Sequence, residues 1–530
     1  GGMVQGPLQR TLPAALAAGT TWLFPLGKSS YRPLELVDPL TTAGTVVIRA
    51  EVFDGATGGI AGPTMFSLDG IRYWQTEITS GSGNFTGTSV RVTETGLNPN
   101  SGLAKSNSLA GTYDLVSVGP PSGNTLTSSS IPGAGYYTIG DKRMNYVSST
   151  TTQANTAYLR EGSVNQEIIG LQIVTNGSLD PALLTSITFS TAGSTLPADI
   201  ASAKVYYTGT SSVFSTSTPF GSAFLTPTGS FNITGSQALA EGTNYLWLAF
   251  DISVAVTDNN VVDAECLSVT VRGMSATPSV TAPTGNRTVR AALTGIVTVG
   301  TGGSYPTLTG AGGLFEKVAL VGLKGNLTAH IVSDITEPAV NQLTNWYEAG
   351  GSGYTFSIVP NASVLRTLSG TYTGGLVRLG NVSRVTIDGR FAGAGKFLAF
   401  NNLSTTGSIA ALQFIGLAAG QGCTDIMVRN CHFSTGNITT TSCGISLGGA
   451  TPGSTGFDHD GVTIRDCRIT QAYYGIYAGG RSTGQNDNLV IAGDSVGSLV
   501  TGQEISRNGI YLLDCPGVEV SGNTVFNIVN

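Results

Sequence analysis

Residues 458–466 hold the densest collection of groups able to move a proton or hold a cation: Asp458, His459 and Asp460 in succession, then Arg465 and Asp466. Two carboxylates flanking an imidazole supply the acid and base that glycosidic hydrolysis requires. Elimination chemistry needs a base beside an arginine or lysine, and Arg465 follows closely. The same carboxylates suit calcium. A structural reading competes with both: Asp at a chain corner satisfies turn backbone, and Arg on a strand solvates its outer face. The structural reading is the expectation for Asp458, His459, Asp460, Arg465 and Asp466, and no catalytic residue is assigned. Arg429 holds the place of Arg465 one repeat earlier, so the two are expected to form a basic pair on the surface.

Recognition is the second chemistry. Tyr477 and Tyr511 occupy equivalent places in Gly475-Ile476-Tyr477-Ala478 and Gly509-Ile510-Tyr511-Leu512, with Tyr473 and Tyr474 nearby. They are expected to stack outward on neighbouring coils, where an aromatic row either receives sugar rings or braces a sheet. The six cysteines match no tetrahedral zinc spacing, and His432 and His459 lack Cys-x-x-Cys partners. No metal site is assigned and no cofactor is expected, calcium being the one ion the carboxylates would suit.

The elements that must position these groups are legible from a repeated phrase. Val385/Ile387/Gly389, Ile426/Val428/Asn430, Val462/Ile464/Asp466, Leu489/Ile491/Gly493 and Val518/Val520/Gly522 share an alternating apolar pair followed by a turn-former. Alternation puts the apolar pair on one strand face, and Gly, Asn or Asp makes a corner. A second phrase, Gly444-Ile445-Ser446-Leu447 and its copies at 475–478 and 509–512, interleaves with the first. Units too small to bury a face alone must stack, which predicts a right-handed parallel β-helix. Cys431 and Cys467 share a repeat position and are expected to stack as apolar filler. The Gly/Ser/Thr-rich insertions 434–442 and 449–457 are expected to border any binding face.

A chain of 530 residues exceeds one ordinary core. Only 11% of residues are charged, Gly numbers 73, and the apolar residues fall in short alternating runs, which indicates an all-β multidomain protein. A net charge of −6 without a basic stripe argues against nucleic acid as a partner. No apolar run approaches the ~20 residues that span a bilayer, so no membrane insertion is expected. Neither end resembles a natural terminus, and further domains of the same polypeptide are expected beyond both, with additional coils or a partner covering the last strand edges.

Residues 1–140 carry strand signals at Thr45–Phe53, Ile71–Ile78, Ser89–Thr93 and Tyr136–Ile139, which predict a β-sandwich module of one or two lobes. Trp22, Trp74 and the tyrosines are expected in its core, with a sugar-stacking platform as the alternative. The run Trp22-Leu23-Phe24-Pro25-Leu26-Gly27-Lys28, with Tyr31-Arg32-Pro33-Leu34, Arg72-Tyr73-Trp74 and Gly135-Tyr136-Tyr137, resembles modules of very large secreted proteins of Bacteroidota. Residues 141–292 predict an immunoglobulin-like sandwich. Val205-Tyr206-Tyr207-Thr208-Gly209, Asn244-Tyr245-Leu246-Trp247-Leu248 and Val262-Asp263-Ala264-Glu265-Cys266 resemble the β-sandwich that precedes the repeats of some bacterial neuraminidases. The sialidase propeller itself is absent from the sequence, so an accessory role is expected, with Trp247 in the core.

Residues 293–530 make up the β-helix. Ile296 to Leu308, followed by a short helix at Leu314–Val318 expected to cap the first coil, resembles the start of pectin-lyase-like β-helices. The hydrolases of that fold imply an adjacent Asp-Asp, a Gly-His-Gly and an Arg-Ile-Lys, and none occurs here. These resemblances imply a non-catalytic segment of a secreted or cell-surface adhesin or stalk, exported by the type IX secretion machinery and contacting glycans or cell surfaces. The alternative is a polysaccharide lyase or glycoside hydrolase acting on a groove of the β-helix.

Overall fold

The computed structural model describes residues 2–529. Strands take 52% of the residues and helix 3%, so sheets alone must bury one another. The chain forms two compact units. One comprises residues 1–157, 165–251 and 261–287, and the other 158–164, 252–260 and 288–530. Among the described residues no helix is long and apolar enough to cross a membrane.

The first unit holds two sandwiches. In the first, a seven-stranded sheet faces a four-stranded one. Strand Val46–Asp54 shows why: Val46, Ile48, Ala50 and Val52 all turn inward, each at most 2% exposed, while the residues between them reach the outside. Trp74, Tyr137 and Phe24 fill the interior, and half-buried Trp22 packs against the same cluster. The strand expected at Ile71–Ile78 runs from Met65 to Ser80.

In the second sandwich, Gln166–Asn176 pairs antiparallel with Gly242–Ile252. Leu171 opposes Leu246 and Ile169 opposes Leu248, all buried on the interior face. Alternation then sends Trp247 to the opposite, outer face, where it opposes Gly170. This corrects its expected place in the core. Its burial comes from Phe214, whose ring meets it edge-on at 6.0 Å, and its Nε1–H donates to Thr208 Oγ1 at 3.0 Å.

The second unit is a parallel β-helix of about seven turns. Three sheets of eight, seven and five strands run its length. Strands such as Ser383–Asp388, Thr424–Arg429 and Thr463–Arg465 form the first face, Leu398–Asn402 and Cys431–Thr435 the second, and Ile409–Ile415, Ser442–Gly448, Ala472–Gly479 and Ile505–Leu513 the third. The repeated phrases fall in register, Val385 on Ile426 and Ile445 on Ile476 on Ile510. One left-handed residue makes each of the last four corners from first to second face: Asn430, Asp466, Gly493 and Gly522, with φ of 53°, 53°, 69° and 64°, whereas the connection after Asp388 is longer and turns at Ala392, Gly393 and Gly395. Asn, Asp and Gly tolerate that conformation best.

Helix Leu314–Val321 closes the N-terminal end, burying Leu314, Phe315, Val318 and Val321 into the β-helix core. Segments 158–164 and 252–260 join this end through charge. Fully buried Glu161 accepts the Ala292 amide at 2.8 Å and pairs with Lys324 at 3.0 Å, and Asp258 meets Lys317 at 3.4 Å.

The insertion at 449–457 does not border the third face; it lies over it. Outward-facing Gln413 is 1% exposed because its Nε2 donates to the carbonyls of Gly449 and Ala450, both at 3.0 Å, while its Oε1 accepts the Gly375 amide. All six cysteines are free thiols, five of them buried.

Candidate functional site

His459 sits at the corner between the third and first faces, fully buried. Its Nδ1 accepts the Cys423 amide proton at 3.1 Å, and Nε2 lies 2.9 Å from the Gly448 carbonyl. An amide nitrogen only donates, so Nδ1 carries no proton and Nε2–H must donate to Gly448. The His459 amide in turn donates to Asn486 Oδ1 at 3.1 Å, one coil on. Burial pulls the imidazole down to about 4, so the ring is neutral at physiological pH.

The flanking carboxylates serve the same corner. Asp458 adopts a left-handed φ of 52° and accepts the Gly420 amide through Oδ2. Asp460 Oδ1 accepts the Asp487 amide at 2.8 Å. Burial raises the Asp460 carboxyl, and the neighbouring Asp487 and Asp458 charges push the same way. Each side chain thus replaces a backbone partner that the turn removes.

Arg465 and Asp466 lie at the far end of strand Thr463–Arg465, on the next corner, and pair with each other at 3.0 Å. Several extended residues separate them from Asp460, on the order of 15 Å of chain. The five candidates therefore do not converge on one groove. Arg429 does stack in register on Arg465, but it is paired with Asp388 at 3.0 Å. Burial alone would raise Asp388, yet Arg390 and Arg429 hold it below the usual carboxylate range. Among the described residues no three His, Cys, Asp or Glu side chains gather as a metal site would need.

Tyr477 and Tyr511 stack at 5.2 Å and 7°, on the outer side of the third face. Tyr477 is only 5% exposed, packed against Tyr511, Tyr474 and Cys443, so it offers no ring face to a ligand. The outward stacking expected of the pair is present, and what burial removes is an open ring face on Tyr477. The accessible part of the cluster is half-buried Tyr473, Tyr474 and Tyr511 with exposed Arg507, whose guanidinium lies 5.3 Å from the Tyr473 ring and 5.9 Å from Tyr474.

Two places escaped sequence reasoning. Along the corner after the third face, Gln342, Asn345, Asn381 and Gln421 line a pocket of about 320 Å³ that shares Leu417 with a second one reaching Phe457 and Arg481. The recurrence of amide side chains at nearly one-coil spacing was the available signal. In the first sandwich, Glu94 holds Arg32 at 2.7 Å and also pairs with buried Arg72, beside a pocket of about 420 Å³. Arg32 is thus part of an ion network within that sandwich.

The module preceding the β-helix has an independent counterpart. A family described as the N-terminal domain of BNR-repeat neuraminidase matches residues 151–274, less than a quarter of the chain. No curated protein matches. Among solved structures, the catalytic domain of a GH87 alpha-1,3-glucanase in complex with nigerose is 10% identical, over 73% of this chain and 96% of that one, with a TM-score of 0.09. That similarity is too low to bear on fold or function. The chain is an all-β, multimodule protein in which a sandwich similar to that family precedes a parallel β-helix.

Proposed function

We propose that this chain is a non-catalytic segment of a large secreted or cell-surface adhesin or stalk that contacts glycans or surfaces. One observation carries the reading: in the best acid/base cluster of the β-helix, both His459 ring nitrogens and an oxygen of each flanking carboxylate are engaged by backbone. A general base must reach a substrate proton, and a fully buried imidazole bonded at both nitrogens does not. Stacked parallel coils, by contrast, make a stiff rod that needs no cofactor. Export by type IX secretion in a member of the Bacteroidota is part of the proposal, supported by the resemblance of the Trp22–Leu34 and Gly135–Tyr137 stretches to modules of such proteins.

The test is a panel of polysaccharides incubated with the whole chain, with and without calcium, and assayed for new reducing ends and unsaturated products. No turnover is expected. Turnover that disappears in an Asp458→Asn/Asp460→Asn double variant would instead make the chain a lyase or hydrolase.

A further inference from the structure

The outer face of the five-stranded sheet in the second sandwich bears a pocket of about 580 Å³, lined by Thr152, Glu167, Gln172, Phe214, Tyr245 and Trp247 among others. Its floor is half-buried Tyr245 together with the small exposed part of the Trp247 indole, 9% exposed, which lies across Gly170. A Cβ at residue 170 would come within 2.9 Å of indole Cζ3 and 3.0 Å of Thr152 Oγ1, so only glycine lets the ring lie against the sheet. The bond from Nε1–H to Thr208 Oγ1 fixes the plane of the ring, and Phe214, from the loop at 210–218, stands edge-on as a wall. Tyr245, two residues back on the same strand face, extends the aromatic surface and opposes Gln172 across the ladder.

Polar groups complete the site. The Glu167 carboxylate, the Gln172 amide and the Thr152 hydroxyl have no hydrogen-bond partner among the described residues, although all three line the pocket. A concave aromatic surface with a few unengaged polar groups is how protein sites recognise small ligands. A pyranose matches both halves: its C–H face lies on the Tyr245 phenol ring beside the indole, and its equatorial hydroxyls donate to a carboxylate and exchange bonds with an amide. Charge narrows the class further. The lining contains no Lys or Arg, while Glu167 contributes a carboxylate. An acidic sugar would meet the Glu167 charge with no cation in the lining to offset it, since Arg287, the cation that interacts with Glu167, is buried outside the lining and donates to backbone carbonyls.

We propose that this pocket binds a neutral pyranose unit of a glycan chain and rejects sialic and uronic acids. The site deepens the adhesin reading and rests on it only in supposing that the chain meets glycans. It gives the sandwich a ligand unlike the one its neuraminidase-associated family name would bring to mind.

The experiment uses the whole chain on an array of neutral gluco-, galacto- and manno-oligosaccharides, with sialyllactose and oligogalacturonate alongside, followed by titration of the best ligand. A Glu167→Ala/Gln172→Ala variant alters only the rim and is expected to melt as the parent does. It should bind the neutral ligand about tenfold or more weakly, the loss expected from removing two polar contacts. Quenching of tryptophan emission by the ligand should vanish in Trp247→Phe, since the other three tryptophans, Trp22, Trp74 and Trp346, lie outside the lining. Undiminished binding by the double variant, or tighter binding of the acidic sugars, would overturn the site and leave the adhesin reading standing. No binding to any glycan would overturn both.

Discussion

His459 ties two coils of the β-helix together by accepting the Cys423 amide proton at Nδ1. Burial holds the ring at about 4, below its ordinary 6.5, and protonation of Nδ1 would also break that bond. Between those values the unfolded chain takes up a proton that the folded one refuses. The stabilisation from His459 is therefore complete above pH 6.5 and is lost as the pH falls toward 4, at most about 3 kcal/mol. Hydrogen exchange over residues 416–430 should quicken through that interval. A His459→Ala variant, with the Cys423 amide and the Gly448 carbonyl both stripped of their partner, should be destabilised by about 2–4 kcal/mol above pH 6.5, and the deficit should shrink as the pH falls toward 4 because the variant lacks the acid dependence.

Asp494 produces the opposite slope. It stands where Cys431, Cys467 and Asn523 stand on other coils, accepting the Cys467 amide at 2.7 Å through Oδ1 while Oδ2 is buried without a partner. Asn523, one coil on, accepts the Asp494 amide and also donates to the Ile491 carbonyl. Burial lifts Asp494 to about 6, the Asp466 charge adds to this, and Lys396 and Arg465 oppose it. The folded chain then holds a proton that the unfolded chain, titrating near 3.8, has released. This stabilisation is complete below pH 3.8 and lost as the pH rises through 6. Asp494→Asn supplies the donor permanently and should raise stability at pH 7.5 by about 1–3 kcal/mol, read as slower exchange of the Cys467 amide.

The insertion 449–457 is held down by Gln413, so Gln413→Leu should free it. Two carbonyls and one amide would lose their partner, and limited proteolysis should cut within 449–457 where the parent resists. Gly456 packs against the Gly448 backbone with no room for a Cβ, so Gly456→Ala should have the same effect by displacement.

The thiols provide an independent check on the coil interior. Burial lifts Cys423 to about 11 and Cys443 and Cys266 to about 12, and Cys515 alone is partly exposed. A thiol-disulfide colour reagent should react with about one cysteine in the native chain and with all six on unfolding.

The β-helix was legible because its signal is local. An apolar alternation such as Val385/Ile387 followed by a turn-former appears in every copy, and the Gly-Ile-x-x phrases fall in register as spaced. The fate of Asp458-His459-Asp460 was not, because it depends on what the stack places above and below: Cys423 and Asn486 lie 36 and 27 residues away and belong to no shared motif. Trp247 was an error with an available remedy, since Leu246 and Leu248 already claim the interior face and alternation sends the residue between them outward. Whether the 449–457 insertion borders or covers the third face turned on Gln413, one side chain on a different coil. Tyr477 lost its ring face to Tyr474 and Tyr511, the latter one coil on.

The central claim is contact without chemistry, and a single sample tests it. A fluorescently end-labelled neutral polysaccharide, chosen by array, is incubated with the whole chain at pH 7.5 with calcium. Complex formation and polymer length are then followed together by size-exclusion chromatography with light scattering. The predicted result is a stable complex with polymer of unchanged length after prolonged incubation. Progressive shortening of the polymer, abolished by Asp458→Asn/Asp460→Asn, would contradict it.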